Sequence, residues 1–169
     1  RIKKYKNTLS LEPSKGLLAC DQFGIGKIPP NDLIKLAIKF LSYKNDEKPI
    51  NDLTNKSFLI TGGPTGEKID SARKITNDSS GLMSLLLAQV ARFRGAKVTY
   101  IHGPLKINSE ITDGIKSYEV ENSEELSKCI QSELHNHDFF IMNAAVTDIK
   151  IKEEVLSKIP KDKLKEHLK

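Results

Sequence analysis

From Lys56 onward the chain alternates short apolar runs with amphipathic segments, and that alternation restricts the fold more than anything else in the sequence. "SFLIT" (57 to 61) reads as a buried strand. "SSGLMSLLLAQVARFRG" (79 to 95) places Leu82, Leu85, Leu86, Val90 and Phe93 on one helical face, with Gly95 as the stop. "AKVTYIHG" (96 to 103) and "KSYEVE" (116 to 121) are further strands. "NSEELSKCIQSELH" (122 to 135) is a helix opening on an Asn or Ser cap, and "DFFIMNAAV" (138 to 146) is a last strand ending in small residues. Strands separated by crossover helices call for a parallel sheet covered on both faces. The expected class is therefore α/β: a Rossmann-like, mostly parallel sheet with helices on both faces.

The first part of the chain has another texture. "GLLACDQFGIGKIPPNDLIKLAIKFLSYK" is a glycine-rich turn and a Pro pair, then a helix capped by Asn31 or Asp32 with Leu33, Ile34, Leu36, Ala37, Ile38, Phe40 and Leu41 at helical spacing. "NDEKPINDLTN" is polar and lacks an apolar period. The expected organisation is a segment over 1–44, a linker over 45–55 and a second unit over 56–169. The sequence opens on Arg1 without a signal-peptide pattern, and it closes without a helix-ending glycine or a return to a strand. We expect a piece of a longer protein.

The net charge of +5 comes from 27 basic and 22 acidic residues among 169. The lysines are dispersed and aromatics few, which describes a solvated surface rather than a nucleic-acid face. No apolar run approaches the roughly 20 residues of a membrane span. Neither nucleic acid nor a membrane is expected as a partner. Cys20 and Cys129 stand alone, so no zinc site or disulfide framework is signalled and a reducing cytoplasm is expected. His135 and His137 could share a metal, but no third ligand accompanies them; a cation serving a helix end fits better, and no metal site is assigned.

In an open parallel sheet, ligands sit beyond the carboxyl ends of strands. Two such ends carry unusual residues: Gly62 to Thr65 and Met142 to Asp148. Gly62 and Gly63 would let backbone N–H groups approach a phosphate, with the Thr65 hydroxyl as a further donor. Ser79, Ser80 and Gly81 stand at a helix start, where free N–H groups and the dipole favour an anion. Each element also has a plainer reading as a turn or a cap. The pattern is neither G-x-G-x-x-G nor G-x-x-x-x-G-K-[ST], which disfavours an ordinary dinucleotide fold and a P-loop.

"ITGGPTGEKID", "ITNDSSGLM" and "MNAAVTD" resemble, in order and separation, the signatures of phosphopantothenate–cysteine ligases, the synthetase half of the bifunctional coenzyme A biosynthesis proteins. "GLLACDQFGIGKI" is similar to a stretch near the end of the decarboxylase half, so the first unit would be the C-terminal tail of a flavoprotein domain. The resemblance implies a two-step reaction: the carboxylate of 4'-phosphopantothenate attacks the α-phosphate of CTP with Mg2+, giving an acyl cytidylate and pyrophosphate, and the amine of cysteine then displaces CMP. It also implies a dimer. By the same resemblance Gly62 and Gly63 line the triphosphate, and Met142, Asn143, Ala144 and Asp148 hold the nucleotide. Asn77 handles the acyl cytidylate, Ser79, Ser80 and Gly81 take the pantothenate phosphate, and Lys158 and Lys161 belong to a flap. Cys20 corresponds to the decarboxylase proton donor that works with FMN, although the rest of that flavin site lies in a domain this sequence does not include.

Plainer readings stand beside these: Asn77 as a helix cap, Asp148 as a turn cap, Lys158 as a solvated charge and Cys129 as a small packed residue. The sequence departs from the family pattern at Gly66, Leu82, Ser84, Ile149 and Pro160, and at Asp21 and Gln22 beside Cys20. The departures at Gly66, Leu82 and Ser84 leave one alternative, a non-catalytic remnant of a nucleotide-binding fold; the sheet pattern allows another, an NAD(P)-dependent reductase, against which the missing G-x-G-x-x-G argues.

Overall fold

The computed structural model describes residues 8–43, 50–107, 109–151, 157–161 and 163–164. Eight strands and three α-helices are described. β1 (Ser14–Leu17) and β2 (Phe23–Lys27) form an antiparallel hairpin, and α1 (Asn31–Ser42) follows. Next come β3 (Ser57–Gly62), a second hairpin of β4 (Gly66–Asp70) and β5 (Arg73–Thr76), and α2 (Leu82–Phe93). β6 (Lys97–His102), β7 (Lys116–Glu119), α3 (Ser123–Glu133) and β8 (Phe139–Met142) complete the order.

The sheet is parallel, in the order β7-β6-β3-β8. Its register explains the two covered faces. Ile60, Val98 and Tyr100 pack with Leu85, Ala88 and Ala91 of α2 on one side, while Leu59, Ile101 and Val120 pack with Leu126 of α3 on the other. Alternate residues of β3 thus feed opposite cores, as the two-residue period of a strand requires. Leu59 and Ile60 are fully buried, each contributing about 1.5–3 kcal/mol of hydrophobic stabilisation. The expected α/β class is what the structure has.

Several local expectations are corrected. Neither hairpin was read from the sequence: the glycine-rich turn around Cys20 is the β1–β2 hairpin, and the supposed loop after Gly62 contains β4 and β5. α1 begins behind Pro30 with no side-chain cap, although Asn31 or Asp32 was the expected cap. α2 starts at Leu82, three residues later than expected. Asn122 does cap α3: its side chain accepts the Glu125 N–H at 2.8 Å, and Glu125 accepts the Glu121 N–H at 2.8 Å. α1 packs Leu33 and Ala37 against Phe93 of α2, with Phe40 and Phe93 5.7 Å apart. Ile50, inside the expected linker, is buried; residues 45–49 of that linker lie outside the described residues.

Candidate functional site

In the order β7-β6-β3-β8, the chain runs outward from β3 to β6 and β7, then returns to place β8 on the other side of β3. The order reverses between β3 and β8. This is the topological switch point, where crossover connections diverge and leave a crevice at the carboxyl end of the sheet. The two loops singled out in the sequence, Gly62–Thr65 and Met142–Asp148, are the ones that flank it.

The base of the crevice is saturated by the protein's own groups. Thr61, fully buried, accepts the N–H groups of Asn143 and Ala144 at 3.1 and 3.2 Å and donates to Met142 Sδ at 3.1 Å. Beyond the strands, the Thr65 N–H donates to the Ala145 carbonyl at 3.1 Å and the Ala145 N–H to the Gly63 carbonyl at 2.9 Å. Thr147 donates its N–H to Thr65 Oγ1 at 2.9 Å and its hydroxyl to the Thr65 carbonyl at 2.8 Å. The Thr65 hydroxyl, expected as a donor to phosphate, is instead buried against Thr147.

The glycines meet a packing demand as well. A Cβ on Gly62 would lie 1.8 Å from Ser84 Oγ and 2.5 Å from the Tyr100 hydroxyl; one on Gly103 would lie 1.6 Å from the Pro64 carbonyl oxygen. Gly63 and Gly81 both have positive φ, at 69° and 75°, and a Cβ on Gly81 would come within 3.3 Å of Gly63 Cα. The β3 loop, the β6 end and the start of α2 therefore approach through glycine backbones, a closeness that no larger residue permits.

The rim of the crevice is open. Asn77, Ser80, Met142, Asn143 and Asp148 are exposed; Ser79 and Ala144 are half-buried, and Ala144 packs against the α3 core. Asn77 does not cap α2. Its Nδ2 donates to the carbonyls of Ala145 at 3.1 Å and Val146 at 2.8 Å, tying the hairpin's exit to the β8 loop. Ser79 and Ser80 hydroxyls face the N–H groups of Gly81 and Leu82 at 3.4 and 3.3 Å. Lys106, which sequence reasoning missed, reaches this edge from the β6 loop: its N–H donates to the Ser80 carbonyl, and its ammonium pairs with Asp78. That hydrogen bond and charge hold the Asp78 carboxyl below its ordinary value.

The β4–β5 hairpin braces the rim. Glu67 accepts from the Ser123 N–H and hydroxyl at the start of α3, at 3.2 and 2.7 Å, and Lys68 pairs with Glu121 at 2.6 Å. Thr76 donates to the Thr65 carbonyl at 2.7 Å. At the hairpin's far end, Asp70 and Arg73 touch the backbone of Ile159, next to Lys158. Neither residue was singled out from sequence. Lys158 and Lys161 are both exposed.

Residues 53–169 match the family described as DNA/pantothenate metabolism flavoprotein, C-terminal domain. The chain belongs to this family. Among relatives, the Coenzyme A biosynthesis bifunctional protein CoaBC of Vibrio vulnificus (strain YJ016) is 38% identical over 137 residues, 80% of this chain and 32% of that protein. The protein of the same description from Borreliella burgdorferi is 36% identical over 165 residues, 96% of this chain and 40% of its own length. The chain thus spans a third to two fifths of the length of these curated relatives. The crystal structure of the C-terminal domain of Coenzyme A biosynthesis bifunctional protein CoaBC superposes with a TM-score of 0.57 at 34% identity, over 65% of this chain and 57% of that one.

Three of the positions at which the sequence departs from the ligase signatures it resembles have visible settings. Ser84 is buried and its hydroxyl donates to the Gly81 carbonyl at 2.8 Å and meets the Tyr100 hydroxyl at 2.9 Å, so the added atoms are absorbed. Burial raises the Tyr100 phenol above its ordinary value, with Ser84 opposing. Gly66 opens β4 opposite Thr76. Leu82 is 43% exposed at the start of α2 and packs only partly.

Cys20 is set apart from the crevice, exposed in the β1–β2 turn beside Asp21, which has a φ of 58°. Cys129 is half-buried against the α3 core, where burial pushes its thiol up. His137 lies at the end of α3, with Nδ1 at 2.8 Å from the Glu133 carbonyl and Nε2 at 2.9 Å from the Thr99 hydroxyl.

Proposed function

We propose that this chain supplies the nucleotide and phosphopantothenate sites of a phosphopantothenate–cysteine ligase acting in coenzyme A biosynthesis. The observation that carries the reading is the switch point between β3 and β8, flanked by the glycine loop and the β8 loop. Family membership and the two relatives described as coenzyme A biosynthesis proteins support it.

On this reading CTP lies across the crevice, its triphosphate toward Gly62 and Gly63 and its nucleoside along Met142, Asn143, Ala144 and Asp148. The N–H groups of Asn143 and Ala144 are already satisfied by Thr61, so recognition there falls to side chains and carbonyls. Asn77 holds the end of the β8 loop through two carbonyls and keeps its own carbonyl oxygen at the rim. Ser79, Ser80 and Gly81 take the phosphate of 4'-phosphopantothenate. Lys106 supplies an ammonium on that side, and it would have to leave Asp78 to meet the phosphate.

The reaction would run in two steps. The pantothenate carboxylate attacks the α-phosphorus and pyrophosphate leaves; the cysteine amine then attacks the acyl carbon, CMP leaves and a proton is released. Such chemistry depends mainly on positioning and on charge near the departing groups. Mg2+ would arrive on the triphosphate and keep much of its water, as that ion does at nucleotide sites. Cys20 is exposed in a turn whose neighbours Leu17, Phe23 and Ile25 are 65%, 71% and 74% exposed, and the residues described around it do not by themselves enclose a flavin. No step is assigned to Cys20.

The test is calorimetric titration of the chain with Mg-CTP, with Mg-ATP and NADPH as comparisons. Saturable CTP binding that weakens tenfold or more in Asn77→Ala supports the ligase reading; preferential NADPH binding would favour a reductase, and no nucleotide binding a non-catalytic remnant.

A further inference from the structure

The Asp70 side chain is completely buried, yet it is a carboxylate. Its partners explain how that is tolerated. Oδ1 accepts the Ala72 N–H at 2.8 Å, while Oδ2 accepts the Ile159 N–H at 3.1 Å and pairs with Arg73 at 3.3 Å. Arg73 Nη2 in turn donates to the Ile159 carbonyl at 3.4 Å. The peptide groups on both sides of Ile159 are therefore held by an acid and a base from one hairpin turn, as a neighbouring strand would hold them.

The local sequence favours this grip. Pro160 disfavours the α conformation at Ile159 and keeps it extended, which presents its N–H and carbonyl to the hairpin. The Pro160 carbonyl accepts the N–H groups of Lys163 and Leu164, both at 3.1 Å, so a turn begins immediately afterwards. Ile159 is 4% exposed, while Lys158 and Lys161 on either side of the Ile159–Pro160 pair point to solvent. Apolar packing would dock a segment at least as strongly as a buried ion pair does; what the pair adds is direction and register.

We propose that Asp70 is a positioning residue that clasps the backbone at Ile159 and so fixes where Lys158 and Lys161 can reach. The clasp stands on geometry alone. What the lysines meet, a nucleotide triphosphate, rests on the ligase reading.

The experiment is amide hydrogen exchange on the 169-residue chain and on Asp70→Asn, paired with lysine labelling by periodate-oxidised CTP trapped with borohydride. The variant should exchange the Ile159 amide at least tenfold faster, with Leu59 and Ile60 of β3 unchanged, and should label Lys158 severalfold more slowly relative to Lys97. Unchanged exchange at Ile159 overturns the clasp; faster exchange with undiminished Lys158 labelling overturns its positioning role. If Asp70→Asn disorders the hairpin itself, seen as lost protection along the Glu67–Ile75 pairing of β4 and β5, then Ile159→Pro removes the same hydrogen bond from the other side, and Lys158 labelling must fall there. Should the unsubstituted chain label Lys158 no faster than Lys97, the ligase reading of that lysine fails, while the exchange difference still decides the clasp.

Discussion

The base and the rim of the crevice between β3 and β8 are built on opposite principles. At the base, Thr61, Thr65, Thr147 and the glycines are buried and spend their hydrogen bonds and their lack of a side chain on one another. At the rim, Asn77, Ser80, Met142, Asn143 and Asp148 are exposed; Asn77 is tied to the β8 loop and the Ser80 hydroxyl to the Leu82 N–H two residues on. One stretch of sequence therefore serves two purposes: "GGPT" shapes the crevice, and "NDSS" faces what enters it. Substitutions in the base should act on folding, and substitutions in the rim on binding.

The sharpest way to break that division is Gly103→Ala. Its Cβ would meet backbone, the Pro64 carbonyl at 1.6 Å, which cannot move aside without separating the β3 and β6 loops. We expect a loss of about 3 kcal/mol in urea unfolding. Gly62→Ala should cost about as much, but its clash is with the Ser84 and Tyr100 side chains, so Ser84→Gly in the same chain should restore part of the loss. Strict additivity of the two changes would contradict the packing explanation for Gly62.

Thr65→Val should follow at about 1–3 kcal/mol, because the Thr147 N–H would be left buried without an acceptor. Lys158→Ala should be silent in unfolding, within about 0.5 kcal/mol for an exposed side chain, and should instead abolish pyrophosphate release in a ligase made complete by its C-terminal remainder. Unchanged release would remove Lys158 from the reaction.

The smallest expected effect is one of pH. Burial pushes the Asp70 carboxyl up, but the N–H groups of Ala72 and Ile159 and the charge of Arg73 outweigh it and hold the carboxyl below its ordinary value. A group depressed on folding contributes stability above its unfolded value, and loses it as the pH falls through the folded one. Protection of the Ile159 amide, corrected for intrinsic exchange, should be flat near neutrality and fall only in acid, below the ordinary carboxylate range. A decline near neutral pH would mean that some other group controls the contact.

The parallel sheet was legible in the sequence because buried strands and amphipathic helices leave distinct periods, and the six elements from Ser57 to Met142 on which it rests lie close to where those periods placed them. The two hairpins were not. β4 and β5 carry mixed polar residues, with Glu67, Lys68, Arg73 and Lys74 in strand positions, and what holds them is pairing with remote groups such as Ser123, Glu121 and Ile159. Tertiary contacts of that kind leave no local signal. For the same reason the glycines were read as a phosphate cradle or a plain turn, and not as a packing contact. That Ser84, Tyr100 and Pro64 press against Gly62 and Gly103 depends on crossings between α2, β3 and β6, which no spacing along the chain reveals.

The most direct test of the ligase reading is a titration of the isotopically labelled chain with Mg-CTP, followed by backbone amide shifts. Changes concentrated at Gly62 to Thr65 and Met142 to Asp148, with Cys20 and its hairpin unaffected, are the predicted result. Saturable CTP binding whose shifts fall elsewhere, or its absence beside a clear response to NADPH, would contradict the assignment of the crevice.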